Sequence, residues 1–173
     1  MPIVTIRFLT LTLVLALALS ACEMLPTKRQ SPAAVRDATL DEQINPQYQP
    51  DSVIETVPLM NNAVKNLYNQ ALNYYNNKAF DNAIAQLERA YEIQPNTPQV
   101  SQLLAEIYMH KGDFKQAHYW ASIATKNGPS KGKMCEKSWR ILALSAEKLG
   151  YFTNQSQALE RKGECVVKAP ARY

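Results

Sequence analysis

Residues 64–97 read VKNLYNQALNYYNNKAFDNAIAQLERAYEIQPNT, and residues 98–131 read PQVSQLLAEIYMHKGDFKQAHYWASIATKNGPSK. Set one above the other, these 34-residue stretches share identities at fixed places. Ala71 meets Ala105, Tyr74 meets Tyr108, Phe80 meets Phe114, Ala83 meets Ala117, Ala90 meets Ala124 and Pro95 meets Pro129. Within the first stretch, Val64, Leu67, Ala71 and Tyr74 recur three and four apart and mark an amphipathic helix. Ala83, Leu87, Ala90 and Tyr91 mark its partner. Alanine is expected where two helices cross too closely for a larger side chain, and aromatics fill the space between neighbouring helices. The prolines begin the exit turn, where no amide donor is needed. Asp81 and Asp113 are placed to cap the second helix of each pair. Gly112 supplies the tight turn of the second stretch, where the first has Lys78.

A worn third copy follows. Lys148-Leu149-Gly150-Tyr151-Phe152 repeats the turn signal of His110-Lys111-Gly112-Asp113-Phe114. Trp139, Ala143 and Ala146 make its first helix, and Ala158 and Leu159 lie on the second. The register needs a four-residue insertion around residues 132–135, and the terminal proline is missing. The period and residue pattern resemble the tetratricopeptide-repeat family. That resemblance implies an all-α fold, a stack of helical hairpins with two clear repeats plus a degenerate third. A worn last unit is expected where one face meets solvent.

Upstream, the chain changes character. Arg7 ends a short basic region, and an apolar run from Phe8 to Leu19 is broken only by Thr10 and Thr12. At about 12 residues this run is too short to span a bilayer and reads as a secretory signal. It ends in Leu19-Ser20-Ala21-Cys22, which resembles the bacterial lipobox. The alternative is an ordinary signal peptide whose cleavage site happens to precede a cysteine. A lipobox implies that Cys22 is lipidated and that residues 1–21 are removed as a lipoprotein signal peptide. Each buried methylene contributes about 0.8 kcal/mol, so a fully acylated cysteine is anchored for good. Glu23, in place of an aspartate retention signal, points to the outer membrane, facing the periplasm.

Residues 22–58 hold Pro26, Pro32, Pro46, Pro50 and Pro58 among many polar residues and read as a lipidated, flexible tether. Fully stretched, about 36 residues reach roughly 120 Å. Val53, Ile54, Val57, Leu59 and Met60 are apolar enough to dock on the first helix. The tetratricopeptide-repeat domain is expected over residues 59–168, with a tail over 169–173. Charge is uneven: residues 22–58 carry three basic and six acidic side chains, residues 98–173 twelve basic and six acidic. A basic half can attract anionic lipid or an acidic partner, and nucleic acid is not expected for an exported chain.

With Cys22 lipidated, Cys135 and Cys165 remain. An oxidising periplasm favours a disulfide between them. Cys135 precedes the third pair's first helix and Cys165 ends its second, and antiparallel helices bring those ends together. The alternative is two buried thiols packing as small apolar groups. No catalytic constellation is evident. His110 and His118 have no Cys, Asp or Glu at a metal-ligand spacing, and neither a nucleophile elbow nor a phosphate-binding glycine loop occurs. The expectation is a non-enzyme without cofactor, metal or small-molecule substrate.

In the repeat family the first helix of each pair lines the concave, ligand-receiving face. Mapped onto this chain, the partner-binding candidates are Tyr68, Leu72, Tyr75 and Asn76, then Gln102, Glu106, Met109 and His110, then Lys137, Arg140 and Leu144. Tyr, Met and Arg are types enriched at interfaces. The layout of lipobox, polar tether, two clear repeats and a basic end with two cysteines resembles the LpoP-type lipoproteins of pseudomonads and their relatives. That resemblance implies contact with, and activation of, a class A penicillin-binding protein in peptidoglycan synthesis. Looser resemblances are to pilotin-like assembly factors for secretins or outer-membrane complexes, and to adaptors for a periplasmic protease. A structural peptidoglycan tether is a fourth reading, without a recognisable glycan-binding motif.

Overall fold

A computed structural model describes residues 40–46 and 56–166. The lipobox with Cys22, Val53, Ile54 and the tail 169–173 lie outside the described residues. The described residues form seven helices and no strand. Helix α1 is a single turn over residues 40–44. Three hairpins follow: α2 (Asn62–Asn76) with α3 (Phe80–Ile93), α4 (Pro98–Lys111) with α5 (Phe114–Asn127), and α6 (Lys133–Leu149) with α7 (Phe152–Glu164). From α2 onward each helix packs on the next in the chain, and α4 also touches α6.

The repeat alanines explain this stacking. Ala71, Ala83, Ala90, Ala105, Ala117 and Ala124 are all wholly buried. Ala143, Ala146 and Ala158 are buried in the third hairpin. One core cluster joins α2, α3 and α4 through Val64, Leu87, Val100, Leu104 and Ile107. A second joins α4, α5 and α6 through Met109, Ala117, Ala121 and Ile141. Tyr108 packs against both, so the two clusters are continuous.

The turns follow the sequence with two adjustments. Lys78, Gly112 and Gly150 occupy equivalent left-handed positions, at φ of 58°, 76° and 75°. The first hairpin therefore makes the glycine turn with a lysine. Asp113 caps α5 by accepting from the amide of Gln116 at 3.1 Å. Its equivalent in the first hairpin is Ala79, which offers no cap; Asp81 lies in the first turn of α3 and pairs with Lys111. The inserted residues of the third hairpin become helix: α6 has 17 residues against 14 in α4.

Two segments before the first hairpin are packed on the repeats, one at the junction of tether and domain. The Gln99 and Gln94 amides donate to the carbonyls of Pro58 (2.8 Å) and Leu59 (3.1 Å), and Met60 packs against the first core cluster. Leu59 itself is 91% exposed, so the expected docking falls to the backbone and Met60. The second segment is α1, within the stretch expected as tether: Ile44 is wholly buried in the second core cluster, with Leu40 packed beside it.

Candidate functional site

The first helices of the three hairpins converge on a cleft of about 350 Å³. Tyr68, Leu72, Tyr75 and Asn76 of α2 line it, with Gln102, Leu103 and Glu106 of α4, Lys137 of α6, and Asp41 and Asn45 from α1 and the residue after it. Leu72 and Glu106 are equivalent repeat positions, as are Asn76 and His110. Repetition therefore delivers successive side chains to one face.

Glu106 is the centre of the cleft and is only 3% exposed. A buried carboxylate needs a countercharge and donors. Lys137 Nζ lies 2.6 Å from Oε2. The Tyr75 hydroxyl donates to Oε1 at 3.0 Å, and the Asn45 side-chain amide donates to the same oxygen at 2.9 Å. Three elements and the N-terminal segment are thus tied to one carboxylate. His110 Nε2 stands 3.1 Å from the Tyr75 hydroxyl. With the phenol proton given to Glu106, the Tyr75 oxygen accepts from the imidazole Nε2–H, which assigns the tautomer. Burial, then the charge of Glu106, holds the Tyr75 phenol far above its ordinary pKa. The same two causes raise Tyr68.

The rim is also knitted. Gln102 Nε2 donates to the Met134 carbonyl at 2.9 Å and to Ser138 Oγ at 2.7 Å, joining α4 to α6. Arg140 donates to the Ile44 carbonyl at 3.2 Å and lies 3.8 Å from Glu136. Burial depresses the Arg140 guanidinium somewhat below its usual pKa, with Glu136 opposing. Cys135 and Cys165 are joined by a disulfide with Cα atoms 5.6 Å apart. It ties the start of α6, two residues from Lys137, to the end of α7.

The structure brings together Tyr68, Leu72, Tyr75, Asn76, Gln102, Glu106 and Lys137 in the cleft wall, with His110 and Arg140 beside it against α1. Met109 differs: at 1% exposed it belongs to the core cluster that holds Ile44. Leu144 is half-buried against the same cluster. Sequence reasoning missed Asp41, Ile44 and Asn45, whose signal is faint: Leu40 and Ile44 stand four apart, just before Pro46. It also missed that Glu106 lies four residues before His110, on one helix face. Asp41, Glu106 and His110 offer ligand atoms within 4.8 Å of one another. A divalent cation can use such donors, but the Lys137 ammonium already supplies the positive charge Glu106 requires. No helix among the described residues is long and apolar enough to cross a membrane.

Paired helices at a 34-residue period, closing first-helix side chains around a cleft, define a tetratricopeptide-repeat protein. The family model described as anaphase-promoting complex, cyclosome, subunit 3 matches residues 76–162, half of the chain. The chain belongs to that family. No curated protein matches it. Among solved structures it is similar to the tetratricopeptide-repeat domain of Sgt2 from Aspergillus fumigatus. That likeness has 21% identity and a TM-score of 0.54, over 69% of this chain and 76% of that one. It is also similar to the globular C-terminal domain of P. aeruginosa LpoP, with 25% identity and a TM-score of 0.49, over 58% of this chain and 99% of that one.

Proposed function

We propose that this chain is a protein-binding lipoprotein, anchored through Cys22 to the outer membrane and facing the periplasm. Its role is to activate a class A penicillin-binding protein, a bifunctional peptidoglycan synthase, by direct contact and without catalysis of its own. The observation that carries the binding role is the cleft. Seven residues picked from sequence for partner contact line one 350 Å³ groove across three hairpins. Two tyrosines, two amides and a neutralised ion pair make it a surface for a polypeptide segment. The lipobox and the whole-chain resemblance to LpoP-type lipoproteins support the location and the partner.

The test is a pull-down with the chain from about residue 24, followed by a glycan-polymerisation assay with the recovered synthase. Binding and stimulation are expected, and both should weaken with Lys137→Glu. If the synthase is neither retained nor stimulated, the activator role is wrong.

A further inference from the structure

One wall of the cleft is a peptide from the same chain, which covers the part of the concave face next to the open space. Residues 40–46 read LDEQINP, and they lie along the groove as one helical turn followed by proline, with Asp41 and Asn45 toward the open space and Ile44 in the second core cluster. A five-residue helix cannot hold itself in water, because nucleation costs more than one turn returns. Its order therefore comes from the groove. Ile44 is the wholly buried anchor, seated with Met109 and Ile141. Arg140 donates to the Ile44 carbonyl, Asn45 donates to Glu106, and Asp41 lies 4.0 Å from His110. The contacts of Asn45 and Arg140 reach across 61 and 96 residues of chain. The first core cluster contains no residue of this segment, so that part of the stack does not depend on it.

On the reading that the cleft binds a partner, we infer that residues 40–46 are a built-in competitor for it. They hold the groove in cis until a partner segment of the same chemistry displaces them. That segment is a short helix with two aliphatic side chains four residues apart, one carboxylate toward His110 and an amide at its end toward Glu106. Lys137 and Arg140 already pair with Glu106 and Glu136, so the remaining charge cue is His110, toward which a partner segment presents a carboxylate as Asp41 does. An occupant joined to its own site acts at an effective concentration of about millimolar or more. A partner's apparent affinity falls by the fraction of time the groove is open.

The test needs no partner. A fluorescein-labelled peptide covering residues 36–47 is titrated by anisotropy into the full chain and into its Ile44→Asp variant. Wild type should bind the peptide weakly, and the variant at least about tenfold more tightly, because its own segment no longer competes. A peptide carrying the same Ile44→Asp change should bind neither. Leu40→Ser with Asn45→Ala, a milder release, must shift binding in the same direction; its use keeps the test decisive if Ile44→Asp unfolds by circular dichroism. Equal peptide binding by wild type and a folded variant overturns the inference. So does a wild-type dimer that both released variants turn into monomer, since the segment would then serve a second copy. The synthase assay is read separately: released variants that bind peptide yet never stimulate the synthase refute the activator role and leave the competitor standing.

Discussion

Removing the disulfide by Cys135→Ala with Cys165→Ala should loosen the third hairpin before anything else. The bridge spans a sequence separation of 30. In the chain-entropy model a loop of that size constrains the unfolded chain by about 12 cal/mol/K, or about 3.6 kcal/mol at 25 °C. Few other contacts oppose the loss. Ala158 is the one buried residue within α7, while Phe152 is 71% and Leu159 45% exposed. In a repeat stack such a loss stays local to the end unit. Amide exchange followed by mass spectrometry should show α7 opening by up to several hundred-fold, with α2 and α3 unchanged. Urea titration of the oxidised and reduced wild type should differ by about the same 3.6 kcal/mol as the double variant. The start of α6 also holds Lys137, so loosening it should weaken the cleft. A loss below about 1 kcal/mol, or one spread evenly over all hairpins, would refute the reasoning.

Lys137→Met strips the countercharge from a carboxylate that is 4% exposed, while Lys137 itself is 26% exposed. The loss should fall between exposed and buried pairs, about 2 kcal/mol by thermal or urea unfolding. Tyr75→Phe deletes one of the donors to Glu106 and should cost about 1–2 kcal/mol at neutral pH. The Tyr75 phenol is raised in the folded chain, so its stabilisation is complete below pH about 10 and is lost as pH rises beyond that value. Wild type should therefore lose stability steeply in alkali, and Tyr75→Phe should flatten that slope in a pH series of urea titrations. Lys78→Gly relieves a left-handed lysine at φ 58° and should raise stability by up to about 1 kcal/mol. A decrease would show that the lysine side chain contributes more than its backbone costs.

The hairpins were legible because close helix crossing leaves a narrow choice of residue. Ala71 and Ala105, or Ala83 and Ala117, can be read without knowing which helix lies across from them. Turn position was legible at Gly112 and Gly150 for the same reason, since few residues accept φ near 75°. Helix starts were less so. Asp81 looked like a cap, yet α3 begins one residue earlier, at Phe80, behind Ala79. Within the cleft, repeat register placed Tyr75 and Glu106 on the right face but said nothing of what lies over them. Met109 looked available on that face, and α1 helps to bury it. One turn of helix offers a single i,i+4 pair, Leu40 with Ile44, too short for periodicity to register. Its partners lie on α4 and α6, far along the chain, where only tertiary structure brings them near.

On the proposed anchoring through Cys22, the packed turn also sets how far the repeats can travel. With lipid on Cys22, the stretch between the anchor and α1 is residues 23–39, a contour of about 58 Å at most. Once α1 leaves the groove, the leash runs on to Pro58 and its contour roughly doubles, which raises the volume the domain can sweep nearly tenfold. Engagement and range are then one event. On the two proposals taken together, a partner that takes the groove also pays out line, and the captured domain can follow it away from the membrane.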